Sequence, residues 1–204
     1  MRDLRHKGSW GLNRINIVST VKTSLMDDTK VISRCLSGEK EAFEVIVKKY
    51  QANILFLSWS ILGDEEEAKD VTQEAFIQSY LNLNRYDRNR SFKSWLYSIA
   101  YKRCLDRKRK EKSLKGFLRR FNKELDLNDE VEKRERRLED SEIFNSLLKR
   151  LNKNERAAIC LKINEGYSAR EISEILNCAE STAWVHIFHA KRKLKELLEE
   201  KKDV

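Results

Sequence analysis

Residues 169–194 read AREISEILNCAESTAWVHIFHAKRKL, and the fold turns on how that stretch is divided. Ile172, Ile175 and Leu176 fall on one face of a short helix from Ala169 to Leu176. Asn177-Cys178-Ala179-Glu180 follows as a turn, and asparagine is the residue that most readily takes the left-handed conformation usually left to glycine. Ser181 or Thr182 can then cap a second helix that buries Ala183, Ile187, Ala190 and Leu194. Opposite that stripe lie Ser181, Trp184, Val185, Phe188, His189 and Arg192, with Thr182 beside them. Short helix, tight turn and a second helix with a basic end spell a helix-turn-helix over about 168–192. The plainer alternative is a helical hairpin with a solvated face. A row of Trp, Val and Phe among basic residues favours a contact surface, since scattered surface apolars are ordinary and a row is not.

The rest of the chain agrees with an all-helical reading. Its 204 residues contain no proline and only 6 glycines, which removes most of the turn chemistry a sheet protein needs. The net charge of +9 points to a polyanionic partner. No apolar run approaches the roughly 18 residues that span a bilayer, and the basic N-terminus has no apolar block of signal-peptide length, so a cytoplasmic address is expected. Cys35, Cys104, Cys160 and Cys178 are scattered without a CxxC pair and read as reduced, mostly buried thiols. His186 and His189 share a helix, but no carboxylate or thiol is patterned with them, so no metal is expected. No other cofactor and no catalytic constellation is expected either: there is no glycine-rich phosphate loop, HExxH or nucleophile elbow.

Four stretches differ in character. Residues 1–26 are basic and aperiodic, a tail or an upstream extension with Met26 as an alternative start. Residues 27–112 form a patterned helical block, 113–138 a highly charged linker with some helical content, and 139–200 a second helical block. In the first block Val31, Ile32, Cys35 and Leu36 share a face. A second helix carries Ala42, Phe43, Ile46, Val47, Tyr50, Ile54, Leu57, Ile61 and Leu62 up to Gly63. Asp64 fits an N-cap, and the helix after it buries Ala68, Val71, Ala75 and Phe76 while leaving Asp70, Gln73, Glu74 and Ile77 outward. A polar loop from Asn84 to Arg90 leads into a fourth helix from about Phe92 to Arg109. That helix is expected to bury Trp95, Leu96, Ile99, Ala100 and Leu105 and to show Lys93, Tyr97, Tyr101, Lys102 and Arg103 on its other side.

Three motifs now stand in order. Residues 70–76, DVTQEAF, resemble the D-x-x-Q-E-x-F signature of bacterial RNA polymerase sigma factors. Residues 92–100, FKSWLYSIA, with Asp106 and Arg109 behind them, resemble the F-x-x-W-L-x-x-I-A helix of the extracytoplasmic-function group. Residues 151–194 resemble that group's promoter-reading domain, and the likeness covers about residues 28–198. It implies an all-α protein of two helical domains joined by a charged linker, which directs core RNA polymerase to promoters and is not an enzyme.

The resemblance also implies roles. Asp70, Gln73, Glu74 and Ile77 would dock on the clamp coiled coil of the polymerase largest subunit, with the flap as the second domain's contact. Arg85, Tyr86, Arg88, Arg90, Lys93, Tyr101, Lys102 and Arg103 would hold the −10 element as a melted strand, being cations and aromatics suited to phosphates and bases. Ser181, Thr182, Trp184, Val185, Phe188, His189 and Arg192 would read the −35 element in the major groove. Promoter DNA, core polymerase and an anti-sigma factor are the implied partners. Three departures stand out: Lys102 where the family has Asn, Trp184 and His186 in place of basic residues, and Asn152 in place of Pro. The second shifts base reading from hydrogen bonds toward thymine methyls. Rival readings are a sigma mimic that only sequesters an anti-sigma factor, disfavoured by the intact basic helix after Phe92, and a stand-alone helix-turn-helix regulator, for which residues 70–76 would have no use.

Overall fold

The computed structural model describes residues 27–125 and 150–200. Seven α-helices run through these residues: α1 (Asp28–Leu36), α2 (Phe43–Leu62), α3 (Glu65–Leu81), α4 (Phe92–Leu125), α5 (Lys153–Asn164), α6 (Ala169–Leu176) and α7 (Glu180–Glu200). The N-terminal stretch 1–26, the second half of the expected linker (126–138) and the start of the second block, residues 139–149, lie outside the described residues.

The helix ends follow local chemistry. Gly63, at φ 75°, closes α2, and the Asp64 carboxylate accepts the Glu67 N–H at 2.9 Å to open α3. Asn152 accepts the N–H of Asn154 and Glu155, and the Glu155 carboxylate accepts the Asn152 N–H in return, a capping box that replaces the rigid start a proline would give. Ser168 and Glu171 form a second capping box at the head of α6. Asn177 takes the left-handed conformation the turn requires, at φ 51°. α7 starts at Glu180, ahead of the expected caps Ser181 and Thr182.

α2 is the central element. α3 and α4 pack on it from the first block and α5 from the second, while α6 packs on α4. One apolar core therefore runs from Val31 through Ile54, Leu57 and Leu96 to Leu161, Ile172 and Ile187. Ser58 of α2 faces the Cys104 thiol of α4, and Ser60 faces that of Cys160 in α5. Burial pushes both thiols up to about 12.

Two expectations about α4 are corrected. The helix does not end near Arg109 but continues to Leu125, through the first half of the expected linker. Its faces are also shared differently. Leu96 and Ala100 are buried as expected, but so are Tyr97 and Tyr101, at 1% and 5% exposure, while Trp95, Ile99 and Leu105 are half-buried. The reason is that α4 packs on two sides, toward α2 and α3 and toward α6. Leu36, expected on the buried face of α1, is exposed.

Candidate nucleic-acid and polymerase interface

α3 presents the first surface. Its 3.6-residue period buries Ala68, Val71, Ala75 and Phe76, and so turns Asp70, Gln73, Glu74 and Ile77 to solvent, all four as expected. Leu81, one turn beyond Ile77 and equally exposed, extends the apolar end of this face; the i, i+4 spacing was the available signal for it. The acidic members are not idle. Arg107 of α4 reaches Glu74 at 3.0 Å and Asp70 at 3.9 Å.

The second surface lies where the loop before α4 meets the helix. Leu83 is buried and anchors the loop, and Tyr86 is half-buried, edge-on to Phe92 at 5.3 Å and 5.2 Å from Trp95. Its hydroxyl donates to the Arg90 carbonyl, and the Asp87 carboxylate accepts the Asn89 N–H at 3.0 Å, so the loop is tied to itself. Beside it opens a cleft of about 430 Å³ in which Arg85, Lys102 and Arg103 converge with Trp95 and Ile99. Arg103 donates to the side chain of Gln78, another lining residue, and Asn82 and Asp106 complete the wall. Gln78, Asn82, Trp95 and Ile99 were missed as site residues. Trp95 and Ile99 read as core because an apolar residue half-buried at a cleft has the same spacing as one fully buried.

The other −10 candidates are placed apart from this cleft. Arg88 stands exposed on the loop. Arg90 lines a separate opening with Ser173, Glu174 and Asn177 of the second block. Lys93 and Tyr101 point to the second block as well. The Lys93 ammonium is 2.8 Å from Glu165, and the Tyr101 hydroxyl donates to Asn154 at 2.9 Å. Burial pushes the Tyr101 hydroxyl up to about 12.

The third surface is α7. Ala183, Ile187 and Ala190 are buried, and Ser181, Trp184, Val185, Phe188 and Arg192 are exposed; Phe188 is 62% and Trp184 57% exposed. Thr182 and His189 are half-buried, and Leu194 is half-buried rather than fully so. Behind this face sits Glu155, 2% exposed, whose carboxylate meets Lys193 at 2.8 and 3.0 Å and lies 3.9 Å from His189. Burial alone would raise its pKa, but the hydrogen bonds from Lys193 and the Asn152 N–H outweigh that and hold the pKa below the ordinary carboxylate value. Sequence gave no sign of this buried anchor beyond its place three residues after Asn152.

Set against known proteins, residues 46–114 match the profile for sigma-70 region 2, and residues 141–194 that for sigma-70, region 4. Together they take in more than half of the chain, in the family's order. Among curated relatives, the RNA polymerase sigma-H factor of Pseudomonas aeruginosa is 29% identical over 181 residues, covering 84% of this chain and 94% of that protein. The ECF RNA polymerase sigma factor SigW of Bacillus subtilis is 43% identical over 83 residues, a match that spans 41% of this chain and 44% of SigW. The ECF RNA polymerase sigma-E factor of Haemophilus influenzae is 27% identical across 86% of this chain and 95% of its own. Two solved structures share the fold. One is CnrH, determined with the cytosolic domain of CnrY, at TM-score 0.63 and 23% identity over 84% of this chain and 97% of that one. The other is RpoE of Bartonella quintana, determined with the anti-sigma factor NepR, at TM-score 0.56 and 20% identity over 78% and 98%.

Proposed function

Because the chain belongs to the sigma-70 family of RNA polymerase sigma factors, in its extracytoplasmic-function group, and directs transcription from promoters, we propose a division of that work among its three exposed surfaces. Residues 27–112 act as the domain that holds core polymerase and the −10 element, and residues 139–200 as the domain that reads −35. The α3 face of Asp70, Gln73, Glu74, Ile77 and Leu81 docks on core enzyme, a charged rim around an apolar end. The loop of Arg85 to Arg90 and the neighbouring cleft take the melted −10 strand. Trp184, Val185 and Phe188 enter the −35 major groove, with Arg192 and His189 toward phosphates.

The observation that carries the reading is the cleft itself. Three cations and a half-buried indole converge there, which is what a single strand needs: charge for its phosphates and an aromatic face for a base. Extruding a base costs a few kcal/mol, which a fitted cleft offsets. The protein performs no bond chemistry of its own; its contribution is binding. An anti-sigma factor of the kind seen with the structural relatives is the regulatory partner, and the cytoplasm, where polymerase works, is its place. None of the described helices is long and apolar enough to cross a membrane.

Reconstitution tests the assignment. Core polymerase with this protein should give run-off transcripts from genomic fragments, and Lys102→Asn should change which −10 bases are accepted while leaving −35 preference alone. Altered −35 preference with an unchanged −10 pattern would remove Lys102 from the −10 site.

A further inference from the structure

Glu180, Trp184 and Phe188 follow one another at four-residue spacing, so they form a line along α7. All three are exposed, and Val185 is exposed beside Trp184. Between Ser181 and His189 the helix has no lysine or arginine. His186 is half-buried, and burial holds its imidazole below the ordinary histidine value, so it is uncharged at neutral pH. The cations come later: Arg192 continues the line one turn beyond Phe188, and Lys191 is exposed next to it. In a helix-turn-helix the N-terminal part of the second helix meets the base edges. The apolar side chains therefore stand where bases are read, and the cations stand toward the backbone. Guanine is read most often by Arg or Lys at its O6 and N7, and neither residue occurs on this part of α7. Glu180, at the start of the line, is an acceptor, so it suits the amino group of cytosine and not the guanine acceptors. What the major groove offers to Trp, Val and Phe is the thymine methyl group.

We propose that Trp184 and Phe188 set the −35 specificity of this protein by each covering the 5-methyl group of a thymine, the two thymines lying about two base pairs apart, with Val185 packing beside the first. The proposal rests on the −35 assignment above and names what that face selects. The spacing comes from the helix. Four residues at a rise of about 1.5 Å separate Trp184 and Phe188 by about 6 Å along the axis, close to two base steps of about 3.4 Å. Methyl contact releases no counterions, so this part of the discrimination is insensitive to salt. Salt dependence enters through Lys191 and Arg192, which meet phosphates and do not choose among sequences.

The test uses core polymerase reconstituted with the full chain, on templates whose −35 element is randomised and whose −10 element is fixed. Transcribed templates should be enriched in thymine at two positions about two base pairs apart. Deoxyuridine at either position deletes the methyl and keeps every hydrogen-bonding group. It should lower run-off yield at limiting holoenzyme about fourfold, the worth of one buried methyl-sized group, and by the same factor at two salt concentrations. Trp184→Ala should abolish one of the two deoxyuridine penalties and Phe188→Ala the other; both side chains are exposed, so neither variant should shift the melting curve. Trp184→Arg should turn the preference at the first position toward guanine. If deoxyuridine has no effect on a promoter that still depends on its −35 sequence, the methyl reading is overturned and α7 remains the −35 reader. Penalties that persist in both alanine variants overturn the proposal too, since other residues would then cover the methyls. Transcription indifferent to every −35 sequence would instead overturn the −35 assignment itself.

Discussion

Replacing Glu155 with alanine should destabilise the second domain by about 2 kcal/mol. The carboxylate does two things at once: it closes the capping box of α5 through the Asn152 N–H at 2.9 Å, and it ties α7 to α5 through Lys193 at 2.8 Å. Loss of a capping interaction costs about 1 kcal/mol. Breaking a fully buried ion pair costs roughly 3–5 kcal/mol, because the partner is stranded. Here the Lys193 side chain is 32% exposed and can turn to water, so the loss falls well short of that, at about 1 kcal/mol. Glu155→Gln keeps an acceptor for the cap and should lose about half as much. Urea titration followed by circular dichroism measures both. The pH dependence runs the same way. Glu155 and Glu171 are both held below their ordinary value in the folded chain. Their contribution is therefore complete above the unfolded value near 4.5 and disappears as pH falls through the folded values. An alanine variant within 0.5 kcal/mol of wild type at neutral pH, on the scale of an ordinary surface change, would refute the reasoning.

The exposed faces give two further expectations. Gln73→Ala with Glu74→Lys should impair competition for core polymerase while changing stability by less than about 0.5 kcal/mol, since both residues are outside the buried stripe of α3; unchanged competition would move the docking site elsewhere. Phe188→Ala should leave the melting curve intact, its ring being 62% exposed, and reduce discrimination among promoters varied only at −35 by about 1–3 kcal/mol; wild-type discrimination in run-off assays would mean the face does not enter the groove.

What could be read from sequence was whatever repeats with the helical period or sits at a helix end. The outward stripe of α3, the row on α7 and the left-handed Asn177 were all legible because each depends on residues within two turns of itself. α4 was misread for the opposite reason. A helix packed on two sides has apolar residues almost all round, and Tyr97 facing a second domain has the same spacing as Tyr97 facing a strand of DNA. Glu165 and Glu155 were invisible as anchors because their partners Lys93 and Lys193 are distant in sequence, and a lone glutamate among 33 acidic residues carries no pattern.

The burial of the cysteines makes the protein its own reporter. Cys104 and Cys160 lie on either side of α2, and Cys35 is in the same apolar core; all three are held as neutral thiols, and only the thiolate attacks an alkylating reagent or a disulfide. Half-buried Cys178, at the turn of the helix-turn-helix, is the accessible one. In a chain kept with excess reagent, Cys178 is consumed first, and each later adduct records a transient opening that brings a core sulfur into water. Cys160 is informative beyond the rest, because it sits on α5 of the second domain and faces Ser60 of α2 in the first. Its modification rate, followed by mass spectrometry peptide by peptide, is a clock for the parting of the two domains, and it needs no label.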